Sequence, residues 1–328
     1  MVDPIRCGMI GTRHAHAMGK LDALKRSTLF ELVGICEPDE AVLERIKEAE
    51  PFRDLPWTTM EALLEDPSVE MIAVETGVEE LLETGRAAVR AGKHIHMDKP
   101  PGTSLHGFRL LLDEAEDNGL LVQMGYMFRY HPGFDLIRRA VWEGWLGNVY
   151  NIYASMNKDL PQERREGFAY HPGGMMLELG CHLIDMIVLL MGEPTRVTSF
   201  LRSDGGFDDG LADNTLAVLE FEKALATVEV GAMEPDAAVA RRFKVTGDRG
   251  SCFLEPLEPP CVRLCVREPV AGYRAGWQSV AVKNQPRYVR DLEDLARCIW
   301  GESSSEYSYK HDYLVHKTLL QACSGAEG

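Results

Sequence analysis

Up to about residue 124, apolar residues fall in short runs separated by amphipathic stretches. Ile5–Ile10 is an apolar run that stops at Gly11, and a helical pattern follows from about Ala15 to Lys25. Glu31–Cys36 is apolar again and stops at Glu37-Pro38. Helical segments fit Asp39–Ala49 and Thr59–Leu64, and Met71–Val74, His94–Met97 and Leu120–Met124 read as further strands. Between those strands Glu79–Ala91 and Ser104–Asn118 read as helices, the second opened by a serine cap. Gly92 and Gly119 suit helix C-termini. This alternation predicts an α/β domain built on a parallel, doubly wound sheet with right-handed crossovers.

Beyond Met124 the pattern changes. Val149–Met156, Val197–Leu201, Asn214–Phe221, Ala224–Val230 and Phe243–Thr246 read as strands, with Glu222-Lys223-Ala224 a hairpin connection and Gly247–Ser251 a turn. Consecutive strands with few helices predict a large, mainly antiparallel open sheet. The boundary is set at 1–125 and 126–328, as two domains suit a chain of 328 residues. Tyr288–Trp300 and His311–Ala322 read as helices that pack back on the domains, and the end, Ser324–Gly328, as frayed. An open sheet needs a cover, so a homodimer or homotetramer through it is expected.

Composition narrows the classes. The net charge of −16, without a Lys/Arg stripe, gives no reason to expect nucleic acid. No apolar run is long enough to span a membrane, and the N-terminus lacks the form of a signal peptide. Eight scattered cysteines without a Cys-x-x-Cys pair suggest free thiols in a reducing cytoplasm.

Candidate chemistry lies in three places. In doubly wound sheets ligands bind at the carboxyl ends of the strands. The candidates there are Gly11, Thr12, Arg13 and His14, then Glu37, Thr76-Gly77 and Asp98-Lys99-Pro100. Glu37 ends the second strand, where an acid bonds a ribose hydroxyl and disfavours a 2′-phosphate, which favours NAD over NADP. Of a G-x-G-x-x-G read from Gly11 only the first glycine is present, with Arg13 and His16 at the other two positions. Glu75 is an unexpected acid at the same edge.

The second place is Lys99, held before two prolines that restrict its backbone. A desolvated lysine there can deliver a proton or polarise a carbonyl; the alternative is a solvated loop lysine. The third is Gly173–Asp185, GGMMLELGCHLID. Helical spacing puts Glu178, His182 and Asp185 on one face, either as an acid–base cluster or as a helix start with a buried histidine. Tyr126, Arg129 and His131 follow the last strand of the first domain and are substrate candidates. The polar segment Asn157–His171 adds Arg164, Arg165, Tyr170 and His171. His14, His16, His94 and His96 have no cysteine or acid at ligand spacing, so no metal is expected.

Several of these pieces together resemble the Gfo/Idh/MocA family of nicotinamide-dependent oxidoreductases. Ala91-Gly92-Lys93-His94 leading to Asp98-Lys99-Pro100 is similar to its AGKH…EKP segment, with Asp for Glu. Gly125–Pro132 resembles its G-x-x-x-R-x-x-P strand exit, and Gly144–Val149 the turn that follows. Gly173–Asp185 with Gly192-Glu193-Pro194 is similar to GGG-x-x-x-D-x-G-x-H-x-x-D…GEP. The resemblance implies a Rossmann domain followed by an α/β domain with a sheet that often mediates dimerisation. It implies hydride transfer between nicotinamide and a sugar, inositol or related polyol carbon. Lys99 matches the lysine beside the reacting oxygen and the nicotinamide, His182 the acid–base histidine, Glu178 a carboxylate that is usually Asp, and Asp185 the acid ending the motif. The family's T-P-x-x-x-H becomes Thr76-Gly77-Val78-Glu79-Glu80-Leu81. Two alternatives stand beside net dehydrogenation. One is transient use of tightly bound NAD for elimination, hydrolysis or epimerisation. The other is a non-catalytic nucleotide sensor.

Overall fold

The structure, a computed structural model, describes residues 3–325. The chain end read as frayed lies outside the described residues from residue 326 on. Two compact units divide the chain. The first runs to Tyr126 and takes in Pro286–Tyr313, and the second holds Met127–Gln285 and the segment from Leu314.

The first unit alternates β1 (Ile5–Ile10), α1 (Ala17–Arg26), β2 (Phe30–Cys36), α2 (Glu40–Ile46), α3 (Met60–Glu65), β3 (Met71–Val74), α4 (Leu81–Arg90), β4 (His94–Met97), α5 (Leu105–Asp117) and β5 (Val122–Met124). Three of its helices, α2, α3 and α5, start where short polar side chains satisfy exposed amides. Asp39 accepts from the Ala41 and Val42 amides, Thr59 from Ala62 and Ser104 from Gly107. The strands form a parallel sheet in the order β2-β1-β3-β4-β5. Beyond β2 only a single bridge, Ile35 to Trp57, extends it. The chain leaves β1 to one side for β2 and returns to the other side for β3, so the topological switch point lies between β1 and β3.

Register decides what this sheet offers. Cys36, Ile10, Val74, Met97 and Met124 pair in one row. The residues that emerge next, Glu37, Gly11, Glu75, Asp98 and Gly125, therefore share one carboxyl edge.

The second unit opens with α6 (Pro132–Trp142), β6 (Val149–Ser155) and α7 (Gln162–Ala169). A π-helical turn, Met176–Gly180, leads into α8 (Cys181–Met191). Then come β7 (Arg196–Arg202), β8 (Asn214–Glu220), β9 (Leu225–Gly231), β10 (Arg242–Gly247), β11 (Gly250–Leu254), β12 (Val262–Val266) and β13 (Gly276–Val280). They form one sheet in the order β13-β12-β11-β10-β6-β9-β8-β7. Every pairing is antiparallel except β6 with β9. Alternation buries Ile152, Ala217, Val228, Val245 and Leu264 on the face that meets α6 and α8. The opposite face carries Phe200, Leu225 and Trp277, each about half exposed.

Three strands, β11 to β13, were not among those expected; each has only five residues, and glycines and polar residues leave few apolar positions in them. The polar segment Asn157–His171 was expected as a loop and contains α7, a helix whose one buried residue is Arg165.

The last elements are α9 (Val289–Ile299) and α10 (Tyr309–Ala322). α9 is strongly amphipathic, with Asp291, Leu292, Leu295 and Ala296 buried. The Gln123 side-chain amide donates to the Asp291 carbonyl at 3.0 Å. The Tyr309 hydroxyl donates to the Leu120 carbonyl at 2.6 Å and accepts from the Val122 amide at 3.0 Å, tying down the last strand of the parallel sheet.

Candidate active site

In the first unit the carboxyl edge is a dense polar cluster. Gly11 turns the chain at φ +93°, and a Cβ there would stand 2.3 Å from the Thr76 amide nitrogen. Only glycine lets the β1 exit lie against the β3 exit this closely. That approach brings Thr12, Arg13, His14 and His16 beside Glu75 and Thr76.

Lys20 lies on the buried face of α1 with Ala17, Leu21 and Leu24. Its ammonium is fully buried, 3.0 Å from Asp98 Oδ2 and 3.2 Å from Glu75 Oε1, with the Tyr288 ring centroid 5.0 Å away. Burial alone would lower the Lys20 pKa, but Asp98 and Glu75 outweigh it and hold the ammonium charged. Burial pushes the Glu75 carboxyl well above its usual range, against the pull of Lys20. Asp98 is equally buried, yet His14, His16 and Lys20 hold it well below the usual range. Burial lowers the pKa of His16 despite Asp98. Asp291 is pushed up to about 6 by burial.

The sequence marked His14, Arg13, Glu37, Thr76 and Lys99 at this edge but not Lys20, Tyr288 or Asp291. A lysine at the helical spacing of an apolar face was the available signal for Lys20. Nothing in sequence placed Tyr288 and Asp291 here, because they arrive from far along the chain. Two of the four imidazoles, which have no acid at ligand spacing in the sequence, meet one in the fold. His16 Nδ1 is 3.0 Å from Asp98 Oδ1, and His14 Nδ1 is 3.4 Å from the same oxygen. His94 and His96 are engaged elsewhere, with the Leu121 amide and the Gln123 side chain.

Glu37 accepts from the Thr12 amide at 2.8 Å, from the Thr12 hydroxyl at 2.5 Å and from the Asp39 amide at 3.0 Å. Arg13 pairs with Glu80 and lies 3.6 Å from Glu79. The loop amides that a three-glycine motif would leave open are used internally: Thr12 to Glu37, His14 to the Glu75 carbonyl and His16 to His14 Nδ1. Three buried polar atoms at this edge, Arg13 Nε, Glu75 Oε2 and Thr76 Oγ1, have no hydrogen-bond partner among the described residues. The edge therefore fits a dinucleotide through side chains more than through bare amides.

In the second unit, His182 is the second residue of α8 and is buried, its ring centroid 5.5 Å from that of Phe128. Glu178 lies in the π-helical turn just before it, also buried. Such turns recur at functional sites. Asp185, one turn beyond His182, is held by Arg129. Arg129 Nη2 donates to Oδ1 at 2.7 Å, and Nε lies 3.1 Å from both carboxylate oxygens. Both side chains are almost wholly buried. His131 Nδ1 accepts from the Gly133 amide at 3.2 Å and caps α6. His171 is buried against Tyr170, ring centroids 4.3 Å apart. Arg165 is tied to Asp209 and to Asp213, the latter at 2.7 Å, while Tyr170 is exposed. Tyr126 is buried at the end of the first unit.

A five-stranded parallel sheet with a charged switch-point edge, and a second unit whose large open sheet carries a helix with buried Glu178 and His182 at its start, define a two-domain nucleotide-dependent oxidoreductase. Residues 5–126 match an oxidoreductase family described as having an NAD-binding Rossmann fold, and residues 134–253 match the Gfo/Idh/MocA C-terminal domain. The chain belongs to the Gfo/Idh/MocA family. It is 26% identical over 263 residues to scyllo-inositol 2-dehydrogenase (NADP(+)) IolW of Bacillus subtilis, covering 77% of this chain and 69% of that one. Among solved structures, UDP-N-acetylglucosamine 3-dehydrogenase GnnA from Acidithiobacillus ferrooxidans superposes with a TM-score of 0.81 at 18% identity, over 99% of this chain and 98% of that one. A 3-ketoreductase from Actinomadura kijaniata, in complex with TDP-benzene and NADP, does so with a TM-score of 0.79 at 21% identity and the same coverage. All eight cysteines are free, and no described helix is long and apolar enough to cross a membrane.

Proposed function

We propose that the protein is an NAD-dependent oxidoreductase acting on a secondary hydroxyl of a sugar-like or polyol substrate, with His182 and Lys99 as its acid–base groups. The observation that carries this reading is the placement of those two residues. Lys99 is a fully buried lysine immediately after β4, and His182 is a buried histidine at the start of α8, on a chain that matches both domains of the family. The relatives named above, among them an inositol dehydrogenase and a UDP-N-acetylglucosamine dehydrogenase, support the substrate class.

A bound nicotinamide would supply the hydride acceptor or donor. The remaining work belongs to this chain's own groups. His182 takes the hydroxyl proton at a ring nitrogen. Lys99, desolvated by burial, stabilises the negative charge that develops on the reacting oxygen. Glu178, in the π-helical turn, orients His182 or holds a neighbouring hydroxyl. The Arg129–Asp185 pair fixes α8 against the chain leading into α6 and so holds His182 in place. Arg13, Thr12 and Thr76 would hold the dinucleotide, and the buried carboxylate of Glu37 disfavours a 2′-phosphate. His131, His171 and Tyr126 are the remaining substrate candidates. The open face of the eight-stranded sheet, with Phe200, Leu225 and Trp277, is the proposed surface of a homo-oligomer.

Steady-state kinetics with a panel of inositols and sugar derivatives, using NAD and NADP in parallel, tests the reading. His182→Ala and Lys99→Ala are expected to lose about a hundredfold or more in kcat while dinucleotide binding persists. Glu37→Ala is expected to shift preference toward NADP. Full turnover in both His182→Ala and Lys99→Ala sinks the assignment. Sedimentation of the same preparation as a single chain removes the oligomer.

A further inference from the structure

The carboxyl edge of the parallel sheet contains four donor groups whose arrangement no hydride transfer requires. We propose that His14, His16, Asp98 and Glu75 form a binding site for one divalent transition-metal ion of the zinc type. The donor atoms His14 Nδ1, His16 Nδ1 and an Asp98 oxygen lie within 4.8 Å of one another. Asp98 Oδ1 is 3.0 Å from His16 Nδ1 and 3.4 Å from His14 Nδ1, and Glu75 Oε2 is 3.7 Å from His14 Nδ1. Donors about 2.0–2.2 Å from one tetrahedral ion stand roughly 3.4 Å apart, close to the spacing of Asp98 Oδ1 from both imidazoles, while Glu75 stands outside that trio and would swing in as the fourth donor.

Three further observations point the same way. First, Glu75 Oε2 is fully buried, turned toward His14, and accepts no hydrogen bond among the described residues. Lys20 holds Glu75 Oε1 and Asp98 Oδ2, while Glu75 Oε2 and Asp98 Oδ1, the latter also accepting the Lys99 amide at 2.7 Å, face the imidazoles.

Second, His14 Nε2 lies 2.9 Å from the Lys99 carbonyl. A carbonyl only accepts, so the proton is on Nε2 and Nδ1 presents its lone pair to the cluster. An outer carbonyl that fixes the tautomer is the usual support of a metal-bound histidine. Nδ1 receives the His16 amide at 3.2 Å, a contact the ion would replace.

Third, the site is enclosed: Glu75 and Asp98 are fully buried and His14 is nearly so. Imidazole with carboxylate suits zinc, iron or similar first-row ions better than magnesium or calcium. The proposal is independent of the roles given to His182 and Lys99, since metal uptake is measured without turnover.

The test uses the full chain, stripped with a chelator and titrated with Zn²⁺ alone by calorimetry, then with Co²⁺ read by its visible spectrum. One Zn²⁺ per chain is expected. His14→Ala, His16→Ala and the near-isosteric Glu75→Gln should each weaken uptake tenfold or more, while His106→Ala, an exposed histidine outside the cluster, should leave it unchanged. Co²⁺ in the wild type should show ligand-field bands of a nitrogen–oxygen site, a readout that needs no variant to fold. No uptake by the wild type overturns the site and leaves a cluster closed by protons. Equal uptake by all variants, or a thiolate charge-transfer band from the free cysteines, overturns it as well.

Discussion

Both units bury charge, but they compensate it differently. At the edge of the parallel sheet compensation is collective: the Lys20 ammonium answers Glu75 and Asp98 together, with Asp291 close behind. In the second unit it is pairwise: Arg129 and Asp185 make a bidentate contact beside His182. A pair can be exchanged for apolar residues as a unit, because its two charges answer each other. A cluster cannot, because removing any member strands at least two others.

Lys20→Met should have the largest effect. In chelator-treated protein it leaves two buried carboxyl groups without their ammonium and should cost roughly 3–5 kcal/mol in urea unfolding. Adding Asp98→Leu should not restore stability, since Glu75 and Asp291 remain. Recovery in that double variant would reduce the cluster to a simple pair.

Arg129→Met and Asp185→Leu should each cost a similar or slightly smaller amount alone, roughly 3 kcal/mol. Their combination should come back to within about 1–2 kcal/mol of the wild type. Additive losses would show that the second unit is also networked. If the pair acts only by holding α8, the double variant should lose kcat more than it raises KM.

The smallest contrast is in pH. Burial pushes the His96 pKa in the first unit down to about 3 and the His316 pKa in the second down to about 4, from 6.5. Above pH 6.5 both rings are neutral, folded or unfolded. Below it the unfolded chain takes a proton that the folded chain refuses, so stability falls as pH falls. One pH unit below the free value, each ring contributes about 1.4 kcal/mol of that loss. His96→Gln should flatten the slope of the urea midpoint down to about pH 3, and His316→Gln only to about pH 4. An unchanged slope in both would place the acid sensitivity elsewhere.

Much of the parallel sheet was legible because strands bounded by glycine and capped helices repeat at short spacing, as at Gly11, Gly92 and Ser104. The strands β11 to β13 were not, because their apolar positions are too few for a period to stand out. The π-helical turn at Glu178 was hidden, since spacing of three and four residues suits an α-helix equally well. At the candidate site, His182, Lys99 and Glu75 were readable as residues out of place in their runs. Their neighbours were not, because strand register decides them. Asp98 reaches His16 only because β1 and β4 end in the same row, and no local pattern encodes that row.

The return of Pro286–Tyr313 to the first unit bears on how the protein is made. A chain emerging from the ribosome completes β1 to β5 early, but Tyr288, Asp291 and the Tyr309 hydroxyl that secures Leu120 and Val122 are synthesised almost last. Until then the second unit, though later in sequence, has most of its own strands, while the nucleotide half waits with Lys20 and Asp98 lacking the wall that α9 provides. The unit whose strands are made first thus waits for a segment made after all the strands of the second, and a nascent chain stalled before residue 286 would carry its most charged edge open.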